Sequence, residues 1–98
     1  MEELRQEFAN AITKLINESI KLRYVPTIFM QMIEHQHPVE VVKQLVIASD
    51  IQPGFTRLIE LGKPDLTIER ILLEERFNPL FTNQEREAAK WRLKQVAI

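Results

Sequence analysis

Cysteine is missing from this chain, which removes disulfides, thiolate nucleophiles and thiolate-bound zinc from the chemistry open to it. Glycine is scarce as well, with only two residues, Gly54 and Gly62. A loop that cradles phosphate needs several glycines whose backbone can approach the ligand, so two cannot make one. Long apolar runs are lacking: the longest covers about four residues, against roughly twenty for a membrane-spanning helix. The opening Met1-Glu2-Glu3 is acidic where a secretory leader is basic. Neither sign of charge dominates, with 13 Lys and Arg against 14 Asp and Glu. A protein whose main task is to neutralise a polyanion needs a positive surplus. These absences together predict a cytoplasmic protein with no membrane association and no cofactor.

What remains is 45% apolar and 28% charged, a balance that supports a folded core. At 98 residues that core belongs to one domain. Pro26, Pro38, Pro53, Pro64 and Pro79 divide the chain at intervals of 11 to 15 residues, and proline is welcome in a first turn but breaks a helix interior. Between them the apolar residues recur at helical spacing. Leu4, Phe8, Ile12, Leu15, Ile16 and Leu22, with Ala11 and Ser19, form one stripe over residues 2–22. Ile28, Phe29, Met32 and Ile33 follow Pro26, and Val39, Val42, Leu45 and Val46 follow Pro38. The last set is β-branched enough to suit a strand as well. Phe55, Leu58 and Leu61 line a helix of two turns ended by Gly62, a left-handed cap. Ile68, Ile71 and Leu72 belong to the next, capped by Asp65 or Thr67. Thr82 with Glu85 spells a capping box for a last helix whose apolar positions are Ala88, Ala89, Trp91, Leu93 and Val96. The expectation is an all-α, compact orthogonal bundle of five to six short helices, residues 1–98, with 1–23 as its long first helix.

Candidate sites are few. Glu34, His35 and His37 suggest a metal, but two histidines two residues apart diverge on a helix and no third exists; zinc wants three or four convergent ligands, so no metal site is expected. Glu60, Asp65 and Glu69 flank one turn and offer an acid–base pair if burial lifts one carboxyl. Capping by Asp65, a helix-dipole role for Glu69 and an Arg57–Glu60 pair account for them more simply. Ser19 and Ser49 lie in no nucleophile elbow. No catalytic residue is expected, and an enzyme is not. Arg86, Lys90, Arg92 and Lys94 around Trp91 form a basic stripe with an aromatic, the outline of a nucleic-acid contact. Glu85 and Glu87 dilute it. For a protein interface the candidates are Phe8 and Ile12 on a first helix that could pair with its copy, Tyr24 and Phe29 in an aromatic stretch, and Trp91.

The block from residue 54 to 82 also resembles a recurring pattern of small bacterial helical proteins. Its elements are Gly54-Phe55-Thr56-x-Leu58, Glu60-x-Gly62, Asp65-Leu66-Thr67-x-Glu69 and Leu80-Phe81-Thr82 before a Glu/Arg-rich helix. The resemblance runs from Tyr24 to Leu93 and departs from the common form at residues 48–53 and at Lys63-Pro64. It implies a bacterial helical domain and brings no assigned activity. Gly54, Gly62, Asp65, Thr67, Thr82 and Glu85 are read from the residues themselves as setting turns and caps. The functional expectation is a non-catalytic interaction or accessory module whose partner is another protein or a second copy of itself. A nucleic-acid accessory protein using the last helix is the alternative.

Overall fold

Each proline-bounded piece closes into a helix, as a computed structural model describing residues 2–48 and 53–96 shows. Among the described residues six α-helices follow one another: α1 (Glu2–Lys21), α2 (Thr27–His35), α3 (Pro38–Val46), α4 (Pro53–Glu60), α5 (Ile68–Leu72) and α6 (Asn83–Val96). Two 3₁₀ turns, Pro64–Leu66 and Glu75–Leu80, precede and follow α5. No strand occurs among the described residues. The all-α expectation holds. Ser49, set aside above as a nucleophile, lies outside the described residues.

The caps explain the boundaries. Thr82 and Glu85 form the full capping box: the Glu85 N–H donates to Thr82 Oγ1 at 3.1 Å, and the Thr82 N–H donates to Glu85 Oε1 at 2.8 Å. Gly62 ends α4 at φ 72°. There the Gly62 and Lys63 amides donate to the Ile59 and Leu58 carbonyls, a Schellman closure. The same closure ends α1, where the Arg23 and Tyr24 amides donate to the Ile20 and Ser19 carbonyls. Its left-handed position is filled by Arg23, at φ 64°. The strand-like valines of α3 are overruled by Pro38 at its first turn, by an N-cap from His37 Nδ1 to the Val39 amide at 3.1 Å, and by burial of Val39, Val41, Val42 and Val46. Two readings need correction. Thr67, not Asp65, caps α5 by accepting from the Arg70 amide at 3.2 Å, while Asp65 lies exposed in the first 3₁₀ turn. Gly54 lies within α4 rather than in a turn.

The core gathers α1, α3, α5, α6 and the second 3₁₀ turn. Phe8 sits at its centre, edge-on to Phe77 at 5.0 Å and to Phe81 at 5.2 Å between ring centroids, the arrangement that ring quadrupoles favour. The second turn, which the sequence marks only by the proline at residue 79, contributes Phe77 and Leu80 to the interior. Phe8 and Ile12 are fully buried, so the first-helix stripe holds the domain shut and neither residue is free for an interface. The inner face of α6 is the expected one only in part: Ala89 is buried and Ala88 packs against the core, but Trp91 does not join them. Glu85, Ala89 and Arg92 point inward, and Trp91 is 56% exposed. The radius of gyration, 12.5 Å, equals what a chain of this length reaches when fully compact, about 12.6 Å.

Candidate functional site

Five of the nine residues of α2 are apolar, yet none of its residues is buried. Phe29, Met30 and Ile33 lean against the core from outside, and the other side of the helix faces a cleft of about 340 Å³. That volume lies in the range of small-ligand and anchor-residue pockets. Leu15 and Ser19 of α1 form one wall, Ile28 and Met32 of α2 another, and Phe55 and Leu58 of α4 a third. Tyr24 and Phe29 also line it, so the structure brings these two interface candidates to one place. Val25 and Ile28 stand at its edge, 53% and 74% exposed. The burial that the cleft imposes raises the Tyr24 phenol above its ordinary value.

The floor is polar. Ser19, Thr67 and Glu69 are all buried and all line the cleft. Thr67 is satisfied, since its hydroxyl donates to the Pro64 carbonyl at 2.8 Å and accepts from the Arg70 amide. Ser19 Oγ and Glu69 Oε1 have no hydrogen-bond partner among the described residues. The other oxygen of Glu69, Oε2, accepts from Arg92 Nη1 at 3.2 Å, and Arg92 Nη2 donates to the Ala48 carbonyl just beyond α3. Burial raises the Glu69 carboxyl above the usual carboxylate range, against the opposing pull of its own backbone N–H and of Arg92.

The remaining sequence candidates do not assemble. Glu60 faces Arg57 at 3.8 Å and Asp65 faces Arg70 at 3.8 Å, both at the exposed surface, while Glu69 is buried against Arg92. The three carboxylates thus face three different arginines. The basic stripe is dismantled too. Arg92 is 2% exposed and cannot reach a phosphate. Arg86 donates to the carbonyls of Asn78 and Phe81 and to the Asn83 side chain. Lys90 pairs with Glu87 at 3.2 Å, and Lys94 is exposed. His37 spends its Nδ1 as a helix cap, and the described residues contain no cluster of three or more metal-capable side chains.

Sequence reasoning missed the floor. Its signal was a polar residue at a core register: Ser19 recurs with Ile12, Leu15 and Ile16 on the α1 stripe, and Glu69 alternates with Ile68 and Ile71. No helix among the described residues is long and apolar enough to cross a membrane. No family model, curated protein or solved structure matches this chain.

Proposed function

We propose that this domain is a non-catalytic interaction module that takes an apolar segment of a partner protein into the cleft between α1, α2 and α4. The observation that carries this reading is the exposed apolar rim continuous with an apolar cleft: Ile28 at 74% and Val25 at 53% exposure stand beside walls of Leu15, Phe55 and Leu58. Isolated exposed apolar residues are ordinary, but a contiguous patch beside a concavity marks a contact surface. Large apolar anchors seated in a pocket supply most of the energy of such contacts. Met32 in the wall adds a side chain that adapts to the shape of what enters. Placement of the arginines supports a protein partner over nucleic acid, since Arg92 is buried and Arg86 is spent on the Asn78 and Phe81 carbonyls.

Panning random dodecapeptides displayed on phage against the domain tests this. The expected result is enrichment of sequences with an aromatic or aliphatic anchor. Binding is lost in Ile28→Glu, whose exposed position leaves the unfolding midpoint unchanged. No enrichment, or enrichment that Ile28→Glu leaves intact, overturns the proposal.

A further inference from the structure

The charges around the cleft say what flanks the anchor. Two cations stand at its rim. Arg23 follows the C-terminus of α1 and directly precedes Tyr24 and Val25, both of which line the cleft. Lys63 follows the C-terminus of α4, and its backbone is bonded to two lining residues. Its amide donates to the Leu58 carbonyl at 2.9 Å, and its carbonyl accepts from the Leu66 amide at 3.1 Å. Both residues are exposed, and among the described residues neither has an ion-pair partner. The carboxylates beside the cleft are already matched: Glu18 by Lys21, Glu60 by Arg57, Asp65 by Arg70 and Glu69 by Arg92. Unmatched carboxylates lie elsewhere. Glu3 and Glu7 belong to the first two turns of α1, on the order of 20 Å of helix from Arg23, and Glu75 belongs to the second 3₁₀ turn. Glu34 follows Met32 by two residues, about 200° round α2 and so on the side away from the cleft. The rim is therefore positive on a chain whose net charge is -1.

Resting on the cleft reading above, we infer that the partner segment is an apolar anchor flanked by carboxylates, its acidic residues neutralising Arg23 and Lys63 while the anchor sits between α1, α2 and α4. Both cations are carried on long, exposed side chains. Each can swing to a carboxylate docked beside its backbone, within the screening length of about 8 Å at physiological salt. The dipole of the helix behind each cation offsets only about half a charge, so a carboxylate from outside still gains by approaching. Complementary charge at a rim guides encounter and selects among partners that share the same apolar anchor. A free amphiphile such as a fatty acid brings one carboxylate, whereas the rim carries two cations on separate elements. The apolar surface also runs on to Val25 and Ile28. A chain segment with several acidic residues covers all of these.

Three versions of the best peptide from the panning, with the residues on both sides of its anchor set to Glu, Gln or Lys, test the assignment by fluorescence anisotropy. At low salt the Glu version should bind about threefold to tenfold more tightly than the Gln version, the yield of two surface pairs, and the Lys version more weakly than either. The advantage should vanish at about 1 M salt, where the screening length is about 3 Å. Arg23→Glu with Lys63→Glu should invert the order, so that the Lys version binds best, and Arg23→Gln with Lys63→Gln should abolish it. Both double variants should unfold near the wild-type midpoint, because the two positions are exposed. Equal affinity of the wild type for the three versions, or a preference for Lys flanks, overturns the acidic segment and leaves the cleft reading standing. A Glu preference that neither double variant alters overturns the assignment to Arg23 and Lys63. Binding of no peptide overturns both readings. Decanoate that binds more tightly than the Glu version and displaces it makes the occupant a free amphiphile, and the partner assignment falls.

Discussion

Arg23 occupies the left-handed position at the end of α1, with φ 64°, and no glycine is there to relieve it. An L-residue with a Cβ pays a steric penalty in that region, which Gly escapes. Arg23→Gly should therefore stabilise the domain by about 0.5–1 kcal/mol, seen as a higher midpoint in urea. A second residue-scale test concerns Glu69 and Arg92, both almost wholly buried. Arg92→Ala strands a buried carboxylate and should cost about 3–5 kcal/mol. Replacing both partners with apolar residues of similar volume, Glu69→Leu with Arg92→Met, should recover most of that loss. A double-mutant cycle by denaturant titration reads the difference. The Arg57–Glu60 and Asp65–Arg70 pairs, exposed at 3.8 Å, should contribute little by the same measurement, below about 1 kcal/mol.

At the scale of elements, α3 depends on a cap that titrates. His37 Nδ1 can accept from the Val39 amide only while that nitrogen carries no proton. Burial lowers the His37 pKa, Arg5 lowers it further, and Glu2 and Glu40 pull the other way. The folded state thus holds fewer protons on this ring than the unfolded chain, whose ordinary value is 6.5. The contribution is complete above that value and drains away as pH falls through the lowered folded pKa. His37→Asn keeps an acceptor that does not titrate, so its stability should fall less steeply between about pH 7 and pH 5 in parallel melts. Elements were also where the sequence spoke most clearly. Proline positions, the Thr82–Glu85 box and Gly62 are local signals, decided by a few neighbouring residues, and the helices appear where they predict. The second 3₁₀ turn, Glu75–Leu80 with Pro79 inside it, was not legible, because its Phe77 and Leu80 are fixed by the core above them rather than by a periodic pattern. Asp65 and Thr67 were equal as caps in sequence; the 3₁₀ turn that absorbs Asp65 decided between them.

For the molecule as a whole, the core is organised around one aromatic centre. Removing the Phe8 ring, which meets Phe77 and Phe81 edge-on, should cost about 3–5 kcal/mol out of the total of about 5–15 kcal/mol typical of small domains. Phe8→Ala should accordingly melt well below the wild type by circular dichroism. The candidate site was less legible than the fold, and for a geometric reason. Helical spacing tells which residues share a face but not which faces meet, so Tyr24, Phe29 and Trp91 looked alike in sequence. The first two came to one concavity and Trp91 to open surface, while Phe8 and Ile12 were consumed by the interior. The buried guanidinium ties these scales together. Arg92 on α6 reaches Glu69 on α5 and the Ala48 carbonyl beyond α3, three stretches distant along the chain. Peeling α5 or α6 away leaves a formal charge facing oil, and peeling the end of α3 away costs Arg92 one acceptor, so partial opening there gains little over opening all three. Amide protons in the three stretches should exchange with solvent at a common rate, as one door rather than three.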